Sequence, residues 1–370
     1  MKQIFFEEVS IQNFLSVGND PVKVQFNCGF NIITGSNKDK EDRRNGVGKS
    51  TIADSINFAI FGSTLRELKK ELKPDVITDN WKDLVDNKDV DAVVISMTPE
   101  TKRFPLVMEC LEKGKHVFVE KPLAPTIQEA DEALQLAKKN NLKLTIGYSR
   151  RFDPRYAYMN KALKGGLIGE PVTCLISRHS TRELGMKITG RSNLSPASIA
   201  GVHDFDYILW AMQPRMPVRV YSQTSGKLFS KDSDNPDHQW CMITMDDGTT
   251  ITIGIGWILP PHTPNYVQAF IEIVGTEGTL TIDDSHKDIQ LSTIKDGIQY
   301  PMSSMPGEQI DHVFAGSMHE EVNHFISAIV FDHPVMISGE EAKLVMQVAQ
   351  AADMSVELGE PISLPRNDFI

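Results

Sequence analysis

Cysteine is scarce in this chain. Only four stand in 370 residues, Cys28, Cys110, Cys174 and Cys241, far apart and without metal-ligand spacing. That pattern excludes a disulfide framework and a cysteine-built metal centre, and it predicts buried thiols in a reducing compartment. No apolar run reaches the length of a membrane span and no secretory leader opens the chain. No membrane contact is therefore expected, and a cytoplasmic location is. Excess basic charge is missing too. The net charge of −11 argues against a broad nucleic-acid or anionic-membrane surface. Heptads, internal repeats and low-complexity tracts do not occur. What remains is an ordinary globular composition, 41% apolar and 24% charged, long enough for two or three domains.

The charge is unevenly spread, with +1 on residues 1–71 and −12 on the rest. In the first part, strand-like runs Ile4–Ile11 and Val22–Phe26 precede a short apolar strand, Phe30–Thr34, that ends at Gly35. A helix is predicted from about Gly48, with Ile52, Ile56 and Ile60 on one face and Gly62 placed to stop it. At its start Asn45, Gly46, Gly48, Lys49, Ser50 and Thr51 make a candidate phosphate site. Loop amides and the helix N-terminus attract an anion, Lys49 adds charge, and Ser50 suits a magnesium ion, so ATP with magnesium is the implied ligand. The strict G-x-x-x-x-G-K-[ST] pattern fails, because Arg43 stands five before Gly48. Excising the charged stretch KDKEDRRN, Lys38 to Asn45, would bring Gly35 into register.

The runs SIQNFLSVGNDPVKVQF, GFNIITGSN, NGVGKSTIADSINFAIFG and LRELKKE resemble the N-terminus of the SMC-like recombination-nuclease ATPases, particularly the phage exonuclease large subunit. The resemblance implies a phosphate loop. The magnesium-binding Asp-Glu and signature motifs of that family lie beyond a long coiled coil and are not found here, so hydrolysis is not expected.

After Lys73-Pro74 short strands alternate with helices. Asp91–Ser96 is a continuous apolar run, followed by a helix over about 101–113 that faces inward with Phe104, Val107, Met108 and Leu111. Strand His116–Glu120, helix 126–140 and strand Leu142–Ile146 come next, which predicts a parallel, doubly wound sheet. Ligands of such sheets bind beyond the C-terminal strand ends, where Ser96, Thr98, Pro99, Glu120, Lys121 and Pro122 fall. Lys121, beside Glu120 and held by Pro122, is the candidate proton donor or acceptor. From about residue 160 the pattern turns to strands, at 171–178, 217–223, 239–245, 250–257, 266–274 and 279–283, with a hairpin turn at Asp246-Asp247-Gly248. Two helices close the chain. The first opens at Ser317 with Glu320 as a capping box and carries Met318, Val322, Phe325, Ile326 and Ile329 inward; the second covers roughly 339–357. His203 lies on a predicted helix near Asp204 and Asp206.

Five stretches, TDNWKDLVDNKDVDAVVIS, GKHVFVEKPLAPTIQEADE, GYSRRFDPRY with KGGLIGEPV, GVHDFDYILW and EIVGTEGTLTI, make residues 73–370 resemble the Gfo/Idh/MocA family of nicotinamide-dependent sugar and inositol oxidoreductases. The resemblance implies that Lys121 and His203 are catalytic. It implies that Ser96, Thr98, Pro99, Glu120, Lys121, Pro122 and Arg151 contact NAD or NADP, and that Phe152, His203 and Asp206 contact a small sugar-like substrate. It implies no metal. Two departures stand out. The aspartate four residues before the histidine is Ile199, and no G-x-G-x-x-G turn occurs before Thr78. Weak cofactor binding is therefore expected.

The expected fold is α/β plus α+β: an N-terminal β-rich P-loop segment (1–71), a truncated Rossmann-like parallel sheet (72–150), and a large open β-sheet domain backed by helices (151–370). The open sheet also suits homo-oligomer formation. Asn31–Thr34 is expected to pair with Val93–Ile95 and fill the missing central strand. The expected activity is oxidation of a sugar or cyclitol hydroxyl, impaired by the missing glycine motif. The alternatives are a non-catalytic chimeric product, or an ATP-binding recombination-nuclease module with a passenger domain.

Overall fold

The computed structural model describes residues 8–11, 22–25, 78, 80–98, 100–190, 194–228, 236–261, 263, 266–284, 289–295, 297–299, 309–310 and 313–365. They fall in two compact units, Met1–Asp91 and Ala92–Ile370. In the first, β1 (Glu8–Ile11) pairs antiparallel with β2 (Val22–Gln25), Glu8 opposite Gln25 and Ile11 opposite Val22. These strands lie within the strand-like runs Ile4–Ile11 and Val22–Phe26. A single helical turn, α1 (Lys82–Val85), is tied by Asp83, whose carboxylate accepts from Thr78 Oγ1 at 2.7 Å and Asn80 Nδ2 at 2.9 Å. Asn45, Gly46, Gly48, Lys49, Ser50 and Thr51 lie outside the described residues, as do strand 30–34, helix 49–61 and the expected pairing with Val93–Ile95.

The second unit begins with β3 (Ala92–Ile95), α2 (Phe104–Glu112), β4 (His116–Val119), α3 (Ile127–Lys139) and β5 (Leu144–Ile146). The strands form a parallel sheet in the order β3-β4-β5, with Ala92 beside His116 and Val117 beside Leu144. Their apolar runs are what a sheet covered by helices requires, and Val117, Phe118, Val119, Leu144 and Ile146 are buried. Thr126 and Glu129 cap α3 reciprocally, and Lys138 and Lys139 sit in its last turn, where they complement the helix dipole.

Beyond α4 (Pro154–Lys164) the chain builds a seven-stranded sheet from β6 (Pro171–Thr181), β7 (Pro217–Ser225), β8 (His238–Met245), β9 (Thr250–Leu259), β10 (Val267–Gly275), β11 (Thr279–Asp283) and β12 (Ile362–Ser363). The order is β11-β10-β6-β9-β8-β7-β12, antiparallel throughout except for the β6–β9 pair. Period-2 alternation sends Cys174, Ile176, Cys241, Ile243, Ile251, Ile253, Ile271 and Ile273 into the core. The β8–β9 hairpin turns where expected, with Gly248 at φ +90°, a conformation side chains disfavour. Helices α5 (Arg182–Thr189), α6 (Val202–Met212), α7 (Ser317–Val330) and α8 (Gly339–Leu358) complete the unit, α8 packing on β7 and α6.

Two local expectations fail. The residue before α7 is Gly316 and no side chain caps it, so Ser317 and Glu320 form no capping box. Ser338 and Glu341 do form one, at the start of α8. Ile326 is 47% exposed rather than inward, and buried Glu321 takes a place on the inner face. Cys110, Cys174 and Cys241 are buried free thiols, and burial pushes the Cys110 and Cys241 thiols up to about 12.

Candidate active site

The parallel strands deliver the site's first wall. The Glu120 amide donates to Ile95 O and the Gly147 amide to Val119 O, so the hydrogen-bond ladder runs to the last residue of each strand. The Glu120 side chain then lies over Gly147, where a Cβ would stand 3.2 Å from the carboxyl, tighter than an ordinary contact. Burial raises the Glu120 carboxyl above its usual range, opposed by Lys121 and Arg103. Lys121 follows, joined to Pro122 by a cis peptide.

A π-helical turn, Ala197–Gly201, faces it. The Ile199 side chain is buried with Ile188 and Trp257, while its backbone carbonyl accepts the Lys121 ammonium at 2.6 Å. The carboxylate missing at position 199 therefore leaves no gap, because the main chain supplies the acceptor. A polar network holds the turn in place. The Ala197 amide donates to Gln239 Oε1 at 3.0 Å, Ser198 Oγ donates to Asp353 Oδ2 at 2.7 Å, and Gln239 Nε2 donates to Asp353 Oδ1 at 3.1 Å. On the other side Arg178 donates to Ala200 O at 3.2 Å and faces Asp204 at 3.6 Å.

Around half-buried Lys121, Glu120 and Glu100 on one side balance Arg178 and Arg103 on the other, so burial decides its titration. Burial lowers its pKa to about 8; Glu120 works against this and Arg178 with it. His203, in the first turn of α6, has Tyr148 edge-on at 6.2 Å and, among the described residues, no hydrogen-bond partner on Nδ1. Burial, then Lys121 and Arg178, hold it well below the usual histidine range, so the ring is neutral at physiological pH. Glu321 is buried with one carboxyl oxygen unpartnered among the described residues, and burial together with Glu120 and Asp206 pushes its carboxyl well up.

The residues singled out from the sequence divide into two sets. Lys121 and His203 come together, with Glu120 and Pro122 beside them. Ser96 is half-buried with its Oγ unpartnered among the described residues, Thr98 is exposed, and Pro99 lies outside them. Arg151 and Asp206 instead bind each other: Nη2 donates to Oδ1 at 2.6 Å and Nε to Oδ2 at 3.0 Å, with both side chains at most 1% exposed. The remaining Arg151 donors go to Met336 O and Glu341 Oε1, both at 3.1 Å. This pair faces no open surface and joins α6 to the start of α8. Phe152 stacks obliquely on His324, centroids 5.5 Å apart.

Sequence reasoning missed Arg178, Glu321, Arg103 and the Ile199 carbonyl. Only Glu321 carried a local signal, as a carboxyl on the stripe of Met318, Val322 and Phe325. A cavity of about 160 Å³, lined by Glu100, Pro122, Ser198, Val202 and Asp353 among others, opens between the strand-end loop and the π-turn. A larger hollow of about 490 Å³, bounded by Pro154, Arg155, Tyr158 and Ile282, shares no residue with these groups. Among the described residues no cluster of three metal-ligating side chains occurs, and no helix is long and apolar enough to cross a membrane.

Comparison with known proteins identifies the family. Residues 58–148 match the family described as the GFO_IDH_MocA oxidoreductase family, NAD-binding Rossmann fold, and residues 156–281 match the GFO/IDH/MocA C-terminal domain. The uncharacterized oxidoreductase YrbE of Bacillus subtilis (strain 168) is 24% identical over 300 residues, 80% of this chain and 84% of its own. Myo-inositol 2-dehydrogenase of Thermotoga maritima is 24% identical over 85% of this chain and 92% of its own. In fold, the chain is similar to scyllo-inositol dehydrogenase from Lactobacillus casei, whose structure holds NAD(H) and scyllo-inositol. The TM-score is 0.66 at 24% identity, over 81% of this chain and 87% of that one. The two matches, to the N- and C-terminal domains of one family, lead to one conclusion: over residues 58–281 the chain belongs to the Gfo/Idh/MocA oxidoreductase family.

Proposed function

We propose that the protein is an NAD-dependent oxidoreductase that oxidises a hydroxyl of inositol or a related cyclitol. The observation that carries this is Lys121. It is a half-buried amine at a parallel-strand end, held by the neutral Ile199 carbonyl and lowered to about 8. Such an amine is partly unprotonated near neutral pH and can take the hydroxyl proton of the substrate. Neutral His203, with Nδ1 unpartnered among the described residues, orients the same hydroxyl as a hydrogen-bond partner and carries no charge. Glu120 stands beside Lys121, with Glu321 near it, and burial raises both carboxyls.

The residues fit a nicotinamide cofactor. Ser96 Oγ is buried without a partner among the described residues at the β3 end, and the Glu120–Pro122 loop stands next to it. Ser96, Thr98, Pro99 and the Glu120–Pro122 loop would hold the nicotinamide half. When bound, NAD supplies the hydride acceptor. Relatives named as inositol dehydrogenases support the substrate class. The outer sheet face, where Leu175, Trp240, Met242 and Phe270 are each at least 36% exposed, suits association between copies of this chain.

The test is NAD reduction with myo-inositol and scyllo-inositol. Lys121→Ala should lower turnover at least about 10²-fold while leaving the fold intact, and His203→Gln should cost less. The rate should rise with pH through about 8 and then level off, because the lysine must lose its proton to act. Unchanged turnover in Lys121→Ala would remove the lysine from the chemistry.

A further inference from the structure

Arg103 takes no part in the proton transfer above, yet its guanidinium reaches both strand ends that build the site. The residue is 4% exposed and immediately precedes α2. Its backbone carbonyl accepts from the Leu106 amide at 3.0 Å and the Val107 amide at 3.0 Å, and its own amide donates to Glu100 O at 3.3 Å. With the main chain fixed in this way, the side chain turns back across the sheet. Nε donates to the carbonyl of Met97, just past β3. Nη1 donates to the carbonyls of Glu120 and Lys121, each at 2.8 Å.

These last two carbonyls flank the Lys121 Cα. Holding both fixes the peptide planes on either side of it, and so the direction in which the side chain leaves. Nζ then meets Ile199 O, 78 residues away in sequence, at 2.6 Å. Arginine suits this role because its donors lie in one rigid plane and reach carbonyls from two strand ends at once, while lysine donates from a single point.

We propose that Arg103 is a positioning residue for Lys121: by clamping the carbonyls on both sides of the lysine to the end of β3, it sets where Nζ stands. The inference rests on Lys121 being the proton acceptor of the proposed reaction. Its positive charge also acts with burial and Arg178 in favouring the neutral amine, against Glu120.

The experiment follows Lys121 directly. Full-length protein is labelled with ¹³C at lysine Cε, and the Lys121 signal is assigned by its absence in Lys121→Arg. In the native protein its titration midpoint should lie near 8. Arg103→Met removes clamp and charge together, and should move the midpoint upward. Arg103→Lys keeps the charge but loses the planar clamp. It should leave the midpoint near 8 while lowering kcat with NAD and myo-inositol at least about tenfold per folded molecule, at an unchanged KM for NAD. A merely structural role would lower the melting temperature and leave both midpoint and kcat per folded molecule in place, and that result would overturn the proposal. Where Arg103→Met fails to fold, the kcat of Arg103→Lys decides alone. If Lys121→Ala keeps its turnover, the oxidoreductase role of Lys121 falls; if Lys121→Ala loses turnover while Arg103→Lys keeps its kcat, that role stands and the clamp falls.

Discussion

Helix α6 carries two charged sites one turn apart, built in opposite ways. At Asp206 the charges are matched. Arg151 grips the carboxylate with two nitrogens, both side chains are almost wholly buried, and the remaining donors reach Met336 O and Glu341. Burial lifts the Asp206 carboxyl to about 6 against the pull of Arg151, so it remains ionised at neutral pH. At His203, three residues earlier, the charges fall short. The imidazole has an Nδ1 unpartnered among the described residues, and the nearby ammonium meets a carbonyl where a carboxylate would match it better. The matched pair joins two helices, whereas at the second site burial brings the lysine to about 8, a range suited to acid–base chemistry.

The contrast is most vulnerable at its structural end. Asp206→Ala leaves the Arg151 guanidinium buried without its carboxylate, and should cost about 3–5 kcal/mol of stability by urea unfolding. A loss under about 1 kcal/mol would mean that the pair is not what joins α6 to α8. Position 199 tests the same contrast from the other side. An aspartate there matches the family pattern, but its carboxylate would enter the apolar cluster of Ile188 and Trp257. Ile199→Asp should therefore destabilise by roughly 2–4 kcal/mol and lower turnover. A rise in turnover would show that the π-turn can rotate a side chain toward Lys121.

The smallest effect lies with the lysine itself. Lys121 titrates near 8 in the folded chain and near about 10.4 when unfolded, so the unfolded state binds its proton more tightly. Stability consequently rises with pH between those values, and below pH 8 the buried ammonium is a cost. Lys121→Met removes that cost and should add about 1–3 kcal/mol at pH 7, with the gain fading as pH passes from 8 toward the unfolded value. Equal stability of the two proteins across that range would show that the ammonium is fully solvated.

Much of this was legible locally. Continuous apolar runs marked β3, β4 and β5, period-2 alternation marked β6 to β11, and Asp-Asp-Gly marked the β8–β9 turn. Glu-Lys-Pro marked the strand end that carries the site. The capping code was less dependable. Ser-x-x-Glu occurs at Ser317 and at Ser338, and only the second caps a helix. The four-residue pattern is the same in both places; Ser317 is already inside the helix and buried, so its hydroxyl is not at the end that needs it.

The sequence, through its residue types and the family resemblance, marked which residues could do chemistry, because an amine, an imidazole and a strand end are local properties of the chain. Folding settled which of them are short of partners. Arg151, Asp206, Lys121 and His203 look equally polar in the chain. Only the packed molecule sets Arg151 against Asp206, 55 residues apart, and brings Lys121 to the Ile199 carbonyl, 78 residues apart. A backbone carbonyl has no sequence signature at all, since every residue has one. Which carbonyl faces an ammonium depends on where a turn widens and what network holds it, and both are set by contacts distant in sequence.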